Sequence, residues 1–498
     1  MSDQPPHSLS IRTLRGAAWL FASSWVRAIL SIAIVAVLSR ILTPLQFGVV
    51  GAALVVIGLA ERLAEAGLNH ALVQVKDLTQ AHVRTAFTLT MTVSAIFGAA
   101  TAISAEPIGR FFGIEELPPV LRVMALLFPL DAIAGTSKRL LQREMRFRHY
   151  GAADVLSTAL GFGLVGIVSA VLGAGVWSLV FAHFGQTFVM ATYCIIAQPH
   201  SLRLQIDRGA LRDLVRVGGG FALTEIFTYC ARRGDNLMVG KLLGASALGL
   251  YGRAYALMDQ ANQLIASVVQ TAMFPAASRV QQDVERLRLG YVRGLAITFV
   301  IFIPSGAVAA LLAPEIIGVL LGSQWSPAIG PFQILAAGMS LRAGFKLSST
   351  ILQAKGAVYR MARLEFVYAM VVIGGAAIGS QWGVSGVATS TLVGVAVSFF
   401  LTAGLAMKVC GIRRRDLIGI STPGVRLALA SVAVVAPPTL LCRHYALPQI
   451  LTLGVAMALL AIMLLALARR YGRQLFGEHG VWLIQSISIP LSRRFLPR

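Results

Sequence analysis

Seven basic residues stand inside long apolar runs: Arg27, Arg62, Arg232, Arg233, Arg253, Arg342 and Lys346. A cation at a lipid-facing helix centre costs about 2.5–3.5 kcal/mol, so each needs water, a ligand or an opposite charge to face. Arginine carries a planar fork of donors that matches phosphate oxygens in pairs, which makes an anionic ligand the natural chemistry for such a set. The densest stretch is "YCARRGDNLMVG", Tyr229–Gly240, where Arg232, Arg233 and Asp235 fall within four positions. Two polar stripes run beside these charges. Glu61, Glu65 and Asn69 recur on one helical face next to Arg62, and Arg253, Gln260, Gln263 and Gln270 form another, widened by Asp259 and Asn262. Amides and tyrosines (Tyr229, Tyr251, Tyr255) can hydrogen-bond hydroxyl-rich groups. Cationic and hydroxyl-friendly surfaces together point to a phosphorylated sugar compound. Candidate substrate contacts are Arg27, Arg62, Arg232, Arg233, Arg253, Gln260 and Gln263.

Plainer readings stand beside this one. Arg27 can snorkel to an interface, and Arg342 with Lys346 can do so towards the cytoplasm. Glu61, Arg62 and Glu65 can form a structural ion-pair cluster, and Asp235 can neutralise an adjacent arginine. The Arg233-Gly234-Asp235 tripeptide matches an adhesion motif, but that motif requires an exposed loop.

The elements that must carry these residues are membrane helices. Of 498 residues, 56% are hydrophobic and 13% charged, more apolar surface than a soluble chain of this length can hide. Spans need about 20 apolar residues each. The sequence predicts an all-α polytopic protein of about 14 transmembrane helices, near 14–39, 46–66, 84–105, 119–136, 151–172, 175–197, 217–240, 247–274, 291–313, 328–352, 363–381, 384–408, 423–442 and 450–469. The second, seventh, eighth and tenth are interrupted by charge. The N-terminal "MSDQPPHSLSIRTLRG" is polar and precedes an apolar run too long for a signal peptide, so the first span is expected to be retained.

Basic residues crowd alternate loops, such as Lys138–Arg148, Arg203–Arg212 and Lys408–Arg415, while the intervening loops hold few. The positive-inside rule then places both termini in the cytoplasm and assigns most of the formal +22 charge to topology and anionic lipid headgroups. No basic domain remains for nucleic acid. The four cysteines and eight histidines have no metal-ligand spacing, and no Walker A motif is present, so neither metal, cofactor nor ATP hydrolysis is expected.

The second half echoes the first. "SRILTPLQFGVVG" (Ser39–Gly51) aligns with "GKLLGASALGLYG" (Gly240–Gly252), placing Arg40 on Lys241 and Gly48 on Gly249. "AEPIGRFFG" resembles "PEIIGVLLG", and "LLQREMRFR" resembles "ILQAKGAVYR", in the same order. Six spans per repeat preserve orientation, so two pseudo-symmetric six-helix bundles are expected, related by an axis along the membrane normal, with two further C-terminal helices. The lobes read as 1–205 and 206–410, followed by 411–498. Two facing bundles suggest a central cavity opening alternately to either side.

The motifs "LSRILTPLQFGVVG", "AGLNHALVQVKDLTQAHVRTAF", "LLQREMRFRHY", "GAGVWSLV", "RRGDNLMVGKLLGASALGLYGRAYALM" and "MFPAASRVQQD" resemble Wzx-type polysaccharide flippases. These form a branch of the multidrug/oligosaccharidyl-lipid/polysaccharide flippase superfamily, with a MATE-like fold. The resemblance implies a bacterial inner-membrane transporter that moves undecaprenyl-diphosphate-linked oligosaccharides to the periplasmic leaflet by alternating access, with no covalent chemistry. It makes Arg27, Arg62 and Arg253 the counterparts of cavity arginines in lipid II flippases. Paired Arg232 and Arg233 have no counterpart there. Coupling to a proton or sodium gradient would fall to Glu61, Glu65, Asp235 and Asp259. A monomer in membrane lipid is expected, working beside a polysaccharide polymerase and a chain-length regulator. A drug-extrusion transporter would export organic cations, which an arginine-rich cavity repels. A membrane polymerase would need larger loops than this chain has.

Overall fold

The computed structural model describes residues 6–65, 72, 75, 78–279, 283–355, 358–413 and 415–475, and every regular element among them is helical. In order these are α1 (Pro6–Ile41), α2 (Pro44–Glu65), α3 (Gln80–Ile103), α4 (Ala105–Phe112), α5 (Leu117–Met124), α6 (Leu127–Arg143) and α7 (Phe147–Leu156). A π-helical stretch, Ser157–Leu164, leads into α8 (Val165–Val171), followed by α9 (Val176–Ala197) and the long α10 (Arg208–Arg279). The remaining α-helices are α11 (Val284–Leu311), α12 (Ala313–Leu320), α13 (Ile329–Ala337), α14 (Met339–Ala354), α15 (Val358–Gly379), α16 (Gly383–Val409), α17 (Asp416–His444) and α18 (Gln449–Leu475), with short 3-10 turns at Ser323–Ala328 and Ser380–Trp382.

Local chemistry sets the helix ends. In "TPLQ" the Thr43 N–H donates to Gln46 Oε1 (2.9 Å) and the Gln46 N–H to Thr43 Oγ1 (3.4 Å). This reciprocal cap opens α2, with Pro44 at the first helical position, where no N–H is required. Thr79 and His82 cap α3 in the same way. α10 is two limbs rather than one rod. Gly244 takes φ +84°, a left-handed conformation that glycine adopts without steric penalty. Tyr251 Oη donates to Asp235 Oδ2 at 2.6 Å although the two are 16 residues apart. A straight helix would separate them by about 24 Å, so the limbs fold back on each other at Gly244.

The chain packs as two compact units, Met1–Gly252 and Arg253–Arg498. This division by packing lies inside α10 and differs from the repeat boundary near residue 205. Within the first unit the two limbs of the repeat meet. A side chain on Gly48 would collide with the Ala245 carbonyl, and one on Gly249 with the Pro44 carbonyl. Pro44 and Ala245 are related by the offset that relates Gly48 to Gly249, so the contact is reciprocal, as across a two-fold axis. In the second unit, Leu287, Tyr291, Phe299, Leu347, Ile351, Phe399 and Met407 form a core shared by α11, α14 and α16. Tyr291 Oη and Ser348 Oγ, both buried, bond across it at 2.7 Å. Arg443, near the end of α17, donates Nε and Nη2 to the buried Glu315 (2.7 and 2.8 Å), tying the C-terminal helices to α12.

Ten stretches among the described residues are long and apolar enough to cross a membrane, and one of them, Arg363–Val409, contains both α15 and α16. Neither limb of α10 nor the α13–α14 pair is among them, although three of the fourteen expected spans fall there. α2, with Glu61 and Arg62 near its end, does qualify. The chain is an all-helical, multi-pass membrane protein.

Candidate functional site

The first charged group lies on the seam between α1 and the helix run 147–171. Trp19 Nε1 donates to the Arg148 carbonyl (3.2 Å), Ser23 packs against Gly151, Arg27 Nε lies 2.9 Å from Asp154 Oδ2, and Ile34 and Leu38 pack against Gly163 and Gly166. Steps of four residues along α1 thus meet steps of three along its partner, as when ridges of one spacing fill grooves of another. Between Arg27 and Ile34 the order reverses: seven residues of α1 span nine of the partner, Asp154 to Gly163. The π-helical stretch covers most of that interval, and its wider turns take up the surplus.

A second group gathers around Tyr229, on the first limb of α10. Its hydroxyl donates to the Val55 carbonyl of α2 (2.9 Å), with the Leu54 carbonyl at 3.2 Å, and lies where a side chain on Gly58 would sit. Arg233, Glu61 and Arg62 are close enough for their charges to act on that hydroxyl. Glu61 and Arg62 are half-buried, whereas Arg232 and Arg233 are exposed and make no hydrogen bond or ion pair among the described residues. Glu61 also lines a cavity of about 180 Å³ with Thr90, Ser94, Asp131, Lys138 and Arg139.

Asp235, only 1% exposed, accepts from the Asn236 N–H and Nδ2 (2.8 and 2.9 Å) as well as from Tyr251. Three donors compensate a buried carboxylate for lost water, and here they brace the fold of α10.

In the second unit, Arg342 on α14 donates Nη1 to Tyr255 Oη (2.6 Å), with its guanidinium 4.9 Å from the ring centroid. Hydrogen bond and cation–π contact together hold Arg342 against α10, which decides against snorkelling as its whole role. Gln263 Nε2 donates to Asp259 Oδ2 at 2.6 Å. Asn262 is buried, and its Oδ1 has no hydrogen bond among the described residues. Arg253, Gln260 and Lys346 are half-buried. The side chains of Glu65 and Gln270, and the whole of Asn69, lie outside the described residues.

A family model described as "Polysaccharide biosynthesis protein" matches residues 37–330, well over half of the chain. The chain belongs to the polysaccharide biosynthesis protein family. Its similarity to the succinoglycan biosynthesis transport protein ExoT of Rhizobium meliloti is 28% identity over 322 residues, 65% of either chain. That match therefore spans just under two thirds of the relative's length. The lipopolysaccharide biosynthesis protein WzxC of Escherichia coli is 22% identical over 79% of this chain and 81% of its own. Among solved structures, the lipid II flippase MurJ in an inward closed conformation superposes with a TM-score of 0.69 at 12% identity, covering 90% of this chain and 99% of that one. An inward-facing multidrug resistance MATE transporter of the MOP superfamily gives 0.63 at 17% identity, covering 78% and 98%. These show a MATE- and MurJ-like fold, and the Wzx-type resemblance read from the sequence is borne out.

The first unit brings Glu61, Arg62 and Arg233 together around Tyr229. Asp154 and Asp131 went unread in the sequence. Asp154 is the only carboxylate between Glu144 and Asp207, and that isolation in an apolar run was its available signal. Lys138 and Arg139, counted with the loop charges, line the cavity beside Asp131 instead.

Proposed function

We propose that this protein carries undecaprenyl-diphosphate-linked oligosaccharide repeat units from the cytoplasmic to the periplasmic leaflet of a bacterial inner membrane, for surface polysaccharide synthesis. Fourteen spans in two six-helix bundles plus two C-terminal helices, with both termini cytoplasmic, complete the reading. The reciprocal Gly48 and Gly249 contacts support the pseudo-symmetry it needs. One observation carries the substrate assignment: Arg232 and Arg233 are exposed and make no hydrogen bond or ion pair among the described residues, on the first limb of α10 in a polysaccharide biosynthesis family member. Paired guanidinium groups left open in this way suit a diphosphate, whose charge travels with the lipid carrier. Transport needs no covalent step. Glu61 and Asp259 remain the coupling candidates best placed to exchange an ion, since both are half-buried; Asp235 is committed to three donors. The excess of cationic groups argues against extrusion of organic cations. Arg232→Ala and Arg233→Ala are expected to abolish polysaccharide export while the protein remains inserted at normal levels. Normal surface polysaccharide in both variants would remove the assignment.

A further inference from the structure

We infer that Asp154 positions Arg27 for phosphate recognition, an inference that rests on the reading of Arg27 as a diphosphate contact. The ion pair leaves the business end of the guanidinium open. Asp154 Oδ2 is 2.9 Å from Nε, while Nη1 and Nη2 have no partner among the described residues and the Arg27 side chain is 42% exposed. The Nε–H is not aligned on the carboxylate oxygen, so the contact is Coulombic rather than a directed hydrogen bond. A guanidinium held on its Nε side presents Nη1 and Nη2 outward, an edge that matches two phosphate oxygens.

The backbone that carries Asp154 is braced. Ser157 Oγ and Thr158 Oγ1 donate back to the Asp154 carbonyl (3.1 and 2.8 Å) at the turn where the helix widens into its π-helical stretch. That turn is also where the register of the α1 seam reverses. Arginine has the longer and freer side chain, so Asp154 is the anchor and Arg27 the group it orients. A phosphate at the far edge of the guanidinium has the cation between it and Asp154, and the added distance reduces their repulsion. The rotamer freedom of an unheld arginine has no such reduction. Binding by Asp154→Asn reads directly which of the two effects is larger.

The test measures binding of inorganic pyrophosphate to the purified full chain by calorimetry, with the melting temperature recorded for each variant. Asp154→Asn is expected to bind on the order of tenfold more weakly, within the range for coupled neighbouring side chains. Asp154→Glu should recover most of that loss. Arg27→Lys, which keeps the charge but not the fork, should lose at least as much as Asp154→Asn. The charge exchange Arg27→Asp with Asp154→Arg should restore the melting temperature without restoring binding. Binding by Asp154→Asn at wild-type strength or tighter, with Arg27→Lys still weak, would overturn the positioning role and leave the Arg27 reading standing. Normal binding by Arg27→Lys and Asp154→Asn together, or none by the unaltered chain, would overturn both. Recovery of binding by the charge exchange would make the pair structural only.

Discussion

The segments Pro44–Gly51 and Ala245–Gly252 are related by the sequence repeat, and they meet each other at one crossing. A few turns away, the same offset pairs residues of opposite character. Arg27 corresponds to Thr228, Glu61 and Arg62 to Asn262 and Gln263, Arg232 and Arg233 to Ser31 and Ile32, and Asp235 to Ile34. Sterics explain the first region. Two backbones in contact exclude a Cβ from either side, so Gly48 and Gly249 face one requirement twice. No such requirement acts on the charges, which are free to differ between halves. A ligand with a diphosphate at one end and sugars at the other, as proposed above, has a use for that difference. Symmetry here is mechanical, and asymmetry is chemical.

The strongest way to break this comparison is at the crossing itself. Gly48→Leu or Gly249→Leu pushes a side chain into a carbonyl oxygen, which no rotamer change can relieve, so the cost should exceed about 3 kcal/mol. Both variants should lose the monodisperse, detergent-stable species in size-exclusion chromatography. Gly374→Leu, where a Cβ meets open space, should retain it. Equal tolerance at Gly48 and Gly374 would dissolve the crossing. Loss at one glycine but not the other would end its reciprocity.

A smaller effect sharpens the chemical side. Arg27→Thr combined with Thr228→Arg moves one guanidinium to the equivalent place in the other half and leaves the net charge unchanged. Export should fall at least tenfold with normal insertion, a barrier increase of about 1.4 kcal/mol. Export at the wild-type rate would mean that the charge matters and its side does not.

The sequence made these two regions legible to different degrees, for physical reasons. Hydropathy announces a membrane helix because burial in lipid acts on every residue of it, and the helical class followed. Both glycines of the crossing were visible through the repeat, although nothing in the repeat told that the two copies touch. The charges within the spans stood out against their apolar background, but the partners of Arg27 and Asp235 did not. Asp154 reaches Arg27 only through the α1 seam, and the π-helical stretch that sets this seam's register leaves no mark in "STALGFGL". Asp235 read equally well as an ion site and as a neutraliser of its neighbours. Its bond to Tyr251 depends on the reversal at Gly244, a fact of backbone geometry rather than composition.

The smallest expected effect concerns the links that follow the last helix of each half. After α16 the chain turns on itself, with the Arg413 N–H donating to Asp416 Oδ2 (3.2 Å). After α9 it runs along α3 instead: the Gln205 and Asp207 N–H groups donate to Thr88 and Thr85 hydroxyls at 2.8 and 2.9 Å. His200 pins the start of that run. Ser137 Oγ donates its one proton to the Gln198 carbonyl (2.9 Å), so its 2.8 Å contact with His200 Nδ1 requires the imidazole to donate there. The free lone pair is then on Nε2, which is buried with no hydrogen bond among the described residues. Protonating it would bury an unpaired cation, and burial accordingly holds the His200 pKa below its ordinary 6.5. The unfolded chain binds that proton more readily, so the link is fully held above pH 6.5 and weakens as pH falls towards the lowered value. Tryptic cleavage after the exposed Arg203 should rise below pH 6.5 relative to His200→Phe measured at the same pH, which cancels the protease's own pH dependence. A ratio that stays flat with pH would free this link from His200 and leave the two halves alike in acid.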